Sequence, residues 1–120
     1  MTETTHSTRT PSEVMRAHGK ALMAGDLDGV VEMYAPESVA ITPEGVFRGR
    51  EGVREMQSKV MSDLHGASFS LGIRHAADGV IFLEWSAQGD GYTIKDGVDT
   101  IVIRDGFIAA QTIRYTRLDG

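Results

Sequence analysis

The sequence predicts an α+β domain, with three N-terminal helices packed on one face of a cone-shaped, curved antiparallel (mixed) sheet. Three observations carry that expectation. Apolar residues recur at helical spacing through the first half of the chain. From Ala67 onward the period becomes two, and the alternating runs are separated by Asp-Gly turns. Near the N-terminus, Ala24-Gly25-Asp26-Leu27-Asp28-Gly29 joins two short helices so closely that both must bury their apolar stripes against one neighbour, which the later strands supply.

Met1 to Thr10 is rich in Thr and Ser and lacks the apolar stretch of a signal peptide. It reads as a frayed tail (1–10) ahead of a single domain (11–120), and the protein as cytoplasmic. Pro11-Ser12 opens the first helix. Val14, Ala17, His18, Ala21 and Leu22 share one face of it, so His18 sits inside the apolar stripe. Gly25 ends that helix in the left-handed conformation that glycine adopts without a Cβ clash, and Asp26 caps the next. Leu27, Val30, Val31 and Tyr34 line the second helix, with Pro36 as its stop. Ser38 to Thr42 alternates as a short strand, Pro43-Glu44-Gly45 turns it, and Val46-Phe47 returns. A third helix is expected from about Arg50 to His65, with Val53, Met56, Val60 and Leu64 inward and Gly66 beyond its end.

Beyond it, Phe69, Leu71, Ile73 and His75 share one face of a strand, with His75 at the rim, and Ala77-Asp78-Gly79 makes a hairpin turn. Ile81, Leu83, Trp85 and Ala87 then lie opposite Val80, Phe82, Glu84 and Ser86. Tyr92 to Arg104 reads as one long strand with a bulge at Asp96-Gly97. Phe107 to Arg117 is the last strand, with Gln111 and Tyr115 on the face of Phe107, Ala109 and Ile113. A curved sheet closed by helices leaves a mouth that its own side chains cannot fill, which is a natural small-molecule pocket. Val80, Phe82, Val102 and Ile108 fall on the other sheet face, too apolar for water, so a homodimer through that face is expected.

Twelve Lys and Arg against 17 Asp and Glu leave a net charge of -5, which argues against nucleic acid or an anionic membrane as partner. There is no cysteine, so disulfides and thiolate zinc sites are excluded. His6, His65 and His75 have no metal-ligand spacing, and no cofactor is expected.

The chain resembles the nuclear transport factor 2-like (cystatin-like) superfamily, within it the ketosteroid isomerases and SnoaL-like polyketide cyclases. The likeness rests on Ala21 to Val31, on Tyr34-Ala35-Pro36-Glu37-Ser38-Val39, on Phe47 to Val53, and on Val98 to Gly106 with Ile108 and Gln111. It is a specific signal for fold and a weak one for function. The resemblance implies a general-base carboxylate just before a proline; here that proline is Pro43 and the residue is Thr42, a hydroxyl unsuited to the role. It places the oxyanion-binding acid on Asp99 and the oxyanion-binding tyrosine on His18. The acids needed for epoxide hydrolysis would fall on Ala87 and Ile113, so neither steroid isomerisation nor epoxide opening is expected by the family mechanisms.

Asp99 shares its strand face with Ile101 and Ile103, and a carboxylate among apolar side chains loses hydration and gains pKa. It would then either serve a ligand or bond to backbone beside the bulge. His18 is either a satisfied core histidine or, if it touches Asp99, a general base or acid oriented by that carboxylate. Tyr34, Thr42, Trp85, Gln111 and Tyr115 are the candidate substrate-binding residues, aromatic walls suiting a flat apolar ligand. The expected function is a small-molecule enzyme of the isomerase, cyclase or dehydratase kind, moving a proton on an apolar carbonyl compound. The alternatives are a non-catalytic binding or carrier protein and a dimerisation module whose cone is packed shut.

Overall fold

The computed structural model describes residues 8–120; the first seven residues of the expected tail lie outside the described residues. Arg9 donates to the Gly106 carbonyl at 2.9 Å, and its guanidinium lies over the Phe107 ring. Thr10 caps α1 (Pro11–Ala24) in a reciprocal box with Glu13, and Gly25 at φ 70° closes the helix. The Asp26 side chain accepts from Gly29 N–H to cap α2 (Leu27–Glu32). A Cβ at residue 29 would meet that carboxylate at 2.4 Å, so a larger residue there would displace the cap.

Helix α2 stops four residues before Pro36, and Tyr34 belongs to β1 (Tyr34–Thr42) instead of the second helix. Sheet pairing prevails over helical periodicity here, because Tyr34 pairs with Ile108 and the Ile108 N–H reaches the Met33 carbonyl at 2.8 Å. Pro36 falls in the irregular stretch between Tyr34 and Val39, where its missing N–H removes no ladder bond. Strand β2 (Gly45–Arg48) returns, and α3 (Gly49–Asp63) follows with Val53, Met56, Gln57 and Val60 buried.

The remaining strands are β3 (Ser68–Ala77), β4 (Val80–Gly89), β5 (Tyr92–Arg104), β6 (Phe107–Arg114) and the short β7 (Leu118–Asp119). The sheet order is β2-β1-β6-β5-β4-β3, with β7 paired to β5. Among the described residues only the β1–β6 ladder is parallel. This is the α+β architecture expected, a curved mixed sheet packed by N-terminal helices.

Three bulges decide which side chains face the helices. In β5 the extra residue lies at Lys95-Asp96, since Trp85 pairs with Gly97 and Ala87 with Ile94. In β3, Gly72-Ile73 oppose Glu84 alone, which reverses the phase; His75 pairs with Phe82 on the outer face and not, as the alternation suggested, on the inner one. In β6 the register slips between Val102–Ala110 and Ile103–Ile108. Ile108 therefore turns inward and is fully buried, a correction to its expected place on the outer face with Val80, Phe82 and Val102. Strand β6 also ends at Arg114, so Tyr115 lies beyond the alternation that was to aim it inward. Among the described residues no helix is long and apolar enough to cross a membrane.

The two placements of Ile108 differ measurably. Ile108→Ala should cost roughly 2–5 kcal/mol in urea unfolding, as for a fully buried aliphatic side chain. Thr112→Ala, exposed on the outer face of the same strand, should cost less than about 1 kcal/mol. Equal losses would mean that β6 is out of register.

Candidate active site

Helix α1, beside β5 and β6, and α3, packed on β1 and β2, border with the inner face of β3 to β6 a half-open cavity of about 500 Å³. Its walls are mostly apolar, including Leu22, Met61, Leu83 and Ile113. Its polar side chains are His18 from α1, Gln57 from α3, Trp85 from β4, Asp99 from β5, Gln111 from β6 and, just past the end of α3, His65. Trp85 pairs with Gly97 across the ladder, and a Cβ at residue 97 would lie 2.2 Å from the indole. The bare glycine gives the indole its seat.

That seat places Trp85 Nε1 2.8 Å from Asp99 Oδ1, to which it donates. Gln111 Nε2 donates to Asp99 Oδ2 at 2.9 Å. The Tyr34 hydroxyl donates to Gln111 Oε1 and accepts from Gln57 Nε2 at 2.7 Å. His18 Nε2 lies 3.3 Å from the same hydroxyl. With Asp99 ionised, every link has one direction. The carboxylate only accepts, so Gln111 must turn its amide N–H to it and its carbonyl to Tyr34. Tyr34 then spends its proton on Gln111 and must accept from Gln57 and from His18.

Burial raises the Asp99 pKa to about 6, against the opposing hydrogen bonds from Trp85 and Gln111. Burial lowers that of His18 to about 4, so its imidazole is neutral at pH 7. Burial also raises the Tyr34 pKa, the Gln57 hydrogen bond opposing it and the Asp99 charge adding to it, so the phenol keeps its proton.

His18, Trp85, Asp99 and Gln111 thus meet at one cavity, and Tyr34 lies fully buried beneath it as the centre of the network. His18 and Asp99 do not form the direct pair considered from the sequence; Tyr34 and Gln111 stand between them. Thr42 and Tyr115 lie outside the cavity and line a second cleft with Glu44, Lys59 and Asp63. Thr42 Oγ1 accepts from Glu44 N–H in the β1–β2 turn, and the Tyr115 hydroxyl donates to Asp63 at 2.7 Å while its ring packs on Trp85. Gln57 was missed. Its signal was an amide inside the apolar stripe Val53, Met56, Val60. Among the described residues no group of three or more His, Cys, Asp or Glu side chains is placed to hold a metal.

The sequence profile of the SnoaL-like domain matches residues 15–111. The chain belongs to the SnoaL-like domain family. No curated protein matches it at a significant level. Among solved structures, an NTF2-like protein of unknown function from Mesorhizobium loti is 21% identical, with a TM-score of 0.72 over 88% of this chain and 90% of that one. IdmH from Streptomyces antibioticus, a proposed polyketide cyclase, is 17% identical, with a TM-score of 0.69 over 89% and 92%. A proposed ketosteroid isomerase from Kribbella flavida is 12% identical, with a TM-score of 0.69 over 88% and 77%. At these identities the likeness is one of fold.

The two displaced pKa values of this SnoaL-like protein act on stability in opposite directions. Asp99 is raised on folding, so its contribution is full below about pH 4 and is lost as pH rises through 6. His18 is lowered, so its contribution is full above 6.5 and is lost as pH falls through 4. Each amounts to about 3 kcal/mol, and the two largely cancel between pH 4 and 6.5. Relative to wild type, Asp99→Asn should therefore make stability climb with pH across that window, and His18→Gln should make it fall. Urea unfolding at a series of pH values checks this; two variants with parallel slopes would contradict the assigned shifts.

Proposed function

We propose that this SnoaL-like protein is an enzyme of the isomerase, cyclase or dehydratase kind, acting on a small apolar carbonyl compound with Asp99 as the group that takes and returns the proton. The observation that carries it is the Asp99 carboxylate, held by Trp85 and Gln111 at an apolar cavity of about 500 Å³. Each oxygen receives one internal donor and retains a lone pair for a substrate proton. A carboxylate with a pKa near 6 is both ionised at neutral pH and basic enough to return as an acid. Asp99 would remove a proton from the carbon next to the carbonyl, the C–H pair passing into the enolate. The same proton, now on Asp99, goes back at another carbon or onto a departing hydroxyl. His18, neutral and tied to Tyr34, acts in this reading as a positioning residue and not as the base. The family's fold likeness to proposed cyclases and isomerases supports the reaction class.

One observation favours a second reading, a carrier without turnover: Thr42, where the resemblance puts the family's base, is a hydroxyl outside the cavity. Deuterium exchange into the methylene of deoxybenzoin, an apolar aryl ketone, separates the two. Exchange should rise through about pH 6 and then level, following Asp99. Asp99→Asn should lower it about 10²–10⁴-fold, the usual worth of a general base. Exchange indifferent to Asp99→Asn overturns the assignment, and binding of the ketone without exchange makes the protein a carrier.

The same reading has two copies joined through the outer sheet face at Val80, Phe82 and Val102. Val80 and Phe82 leave 43% and 36% of their surface exposed. Sedimentation equilibrium should return twice the chain mass, reverting to the monomer in Phe82→Lys; a wild-type monomer overturns this part.

A further inference from the structure

Tyr115 lies outside the cavity, and the proton transfer proposed above gives it no part. Residues 115–117 belong to no helix or strand, yet each is tied to another element. The Tyr115 hydroxyl donates to Asp63 Oδ2 at 2.7 Å, an oxygen that also accepts from Lys59 at 2.9 Å. Burial and the Asp63 contact both raise the Tyr115 pKa, so the hydroxyl stays a donor. Thr116 donates through its backbone N–H and its hydroxyl to the two oxygens of Asp96, in the bulge of β5, each at 2.8 Å. Arg117 donates to the Asp63 carbonyl at 2.9 Å and lies over the Tyr92 ring. Three successive residues thus strap the end of α3 to the bulge of β5.

The strap presents the Tyr115 ring to the indole of Trp85. The ring centres are 5.7 Å apart and the planes are inclined at 49°. Phe69, itself exposed, meets the indole at 5.8 Å. The indole needs such support. It is half-buried at the edge of a half-open cavity, and Gly97 beneath it gives room but no side chain to confine it. The second torsion of a tryptophan side chain has broad wells, and turning about it would carry Nε1 away from Asp99 Oδ1.

We propose that Tyr115 is a positioning residue for the proton transfer: anchored on Asp63, its ring backs the indole of Trp85 and keeps the indole N–H on Asp99. This rests on the reading of Asp99 as the base. Tyr115 touches neither the acid nor the cavity, and it acts only through Trp85. An acid whose donors are themselves held in place keeps one geometry and one basicity from turnover to turnover.

The test follows the side-chain carboxyl carbon resonance of Asp99 by NMR through a pH titration, with no ligand present. The wild-type midpoint should lie at about 6, with the Trp85 bond among the influences that hold it down. His18 and Tyr34 stay uncharged near that pH, and Asp63, beyond Tyr115, stays ionised. His65 also borders the cavity and is common to every variant compared. Trp85→Phe loses the indole bond outright and should raise the midpoint by about one to two pH units, the worth of a hydrogen bond to a charged group. Tyr115→Leu should raise it by at least about half a pH unit. Loosening alone would admit water and lower the midpoint, so a smaller or opposite change in Tyr115→Leu overturns the proposal. Tyr115→Phe keeps the ring on a strap still tied by Thr116 and Arg117, and should stay within about 0.3 pH unit of wild type; a rise as large as that of Tyr115→Leu overturns the role of the ring. Added to Trp85→Phe, Tyr115→Leu should give no further rise, and an undiminished one overturns action through the indole. Should Tyr115→Leu fail to fold, Tyr115→Met, which fills the space without a flat ring, is read in its place with the same expected rise. The pH midpoint of deoxybenzoin exchange should move with the resonance. A resonance that moves while the exchange midpoint does not would overturn Asp99 as the base and leave Tyr115 placing the indole.

Discussion

The carboxylate of Asp99 is a charge that the interior must accommodate without a cation. Water-like solvation is replaced by two fixed donors, an indole N–H and an amide N–H, and neither fully offsets the desolvation, so the acid remains weaker than in water. From that compromise the rest of the network follows. An acceptor at one end forces the orientation of Gln111, then of Tyr34, then of Gln57 and His18. The chain of dipoles behaves as one object, and no member can turn over while the acid is ionised.

The backbone is arranged to hold that object. Residues from α1, α3, β1, β4, β5 and β6 contribute one polar group each, so the network also ties the helical layer to the sheet. The bulge at Lys95-Asp96 and the bare Cα of Gly97 open space for the indole just two residues from Asp99. An ordinary side chain at Gly97 would collide with the ring, and the Trp85–Asp99 bond would be lost without any change at the acid. The parallel pairing of β1 with β6 brings Tyr34 beside Ile108 and thereby within reach of Gln111.

This arrangement separates two jobs that a direct histidine–carboxylate pair would combine. His18 and Asp99 communicate only through Tyr34 and Gln111, so neither is stabilised in its charged form by the other. Burial is the larger influence on each, pushing the acid up against its two hydrogen bonds and the imidazole down, so the pair is uncharged between about pH 4 and 6 and carries the single charge of Asp99 above that. A mostly apolar pocket with one basic carboxylate suits apolar guests.

Local sequence signals determined the elements and much of the inner surface. The capping residue Asp26, the left-handed Gly25 and the Asp-Gly turns act within a few bonds, so they can be read without knowing the partner, whereas Thr10, expected in the tail, caps α1. So could the inward aim of His18, Trp85, Asp99 and Gln111, because periodicity assigns a face wherever the phase is unbroken. Only the tertiary structure decided the phase after each bulge, and with it the outward turn of His75 and the burial of Ile108, and it alone ended β6 before Tyr115 and set Thr42 at a turn away from the cavity. It also decided that Tyr34 lies in a strand, and that Gln57 completes the network. A bulge arises from competition between two strands for register, and a hydrogen-bond chain from six elements meeting at one point. Neither is a property of any single stretch of chain.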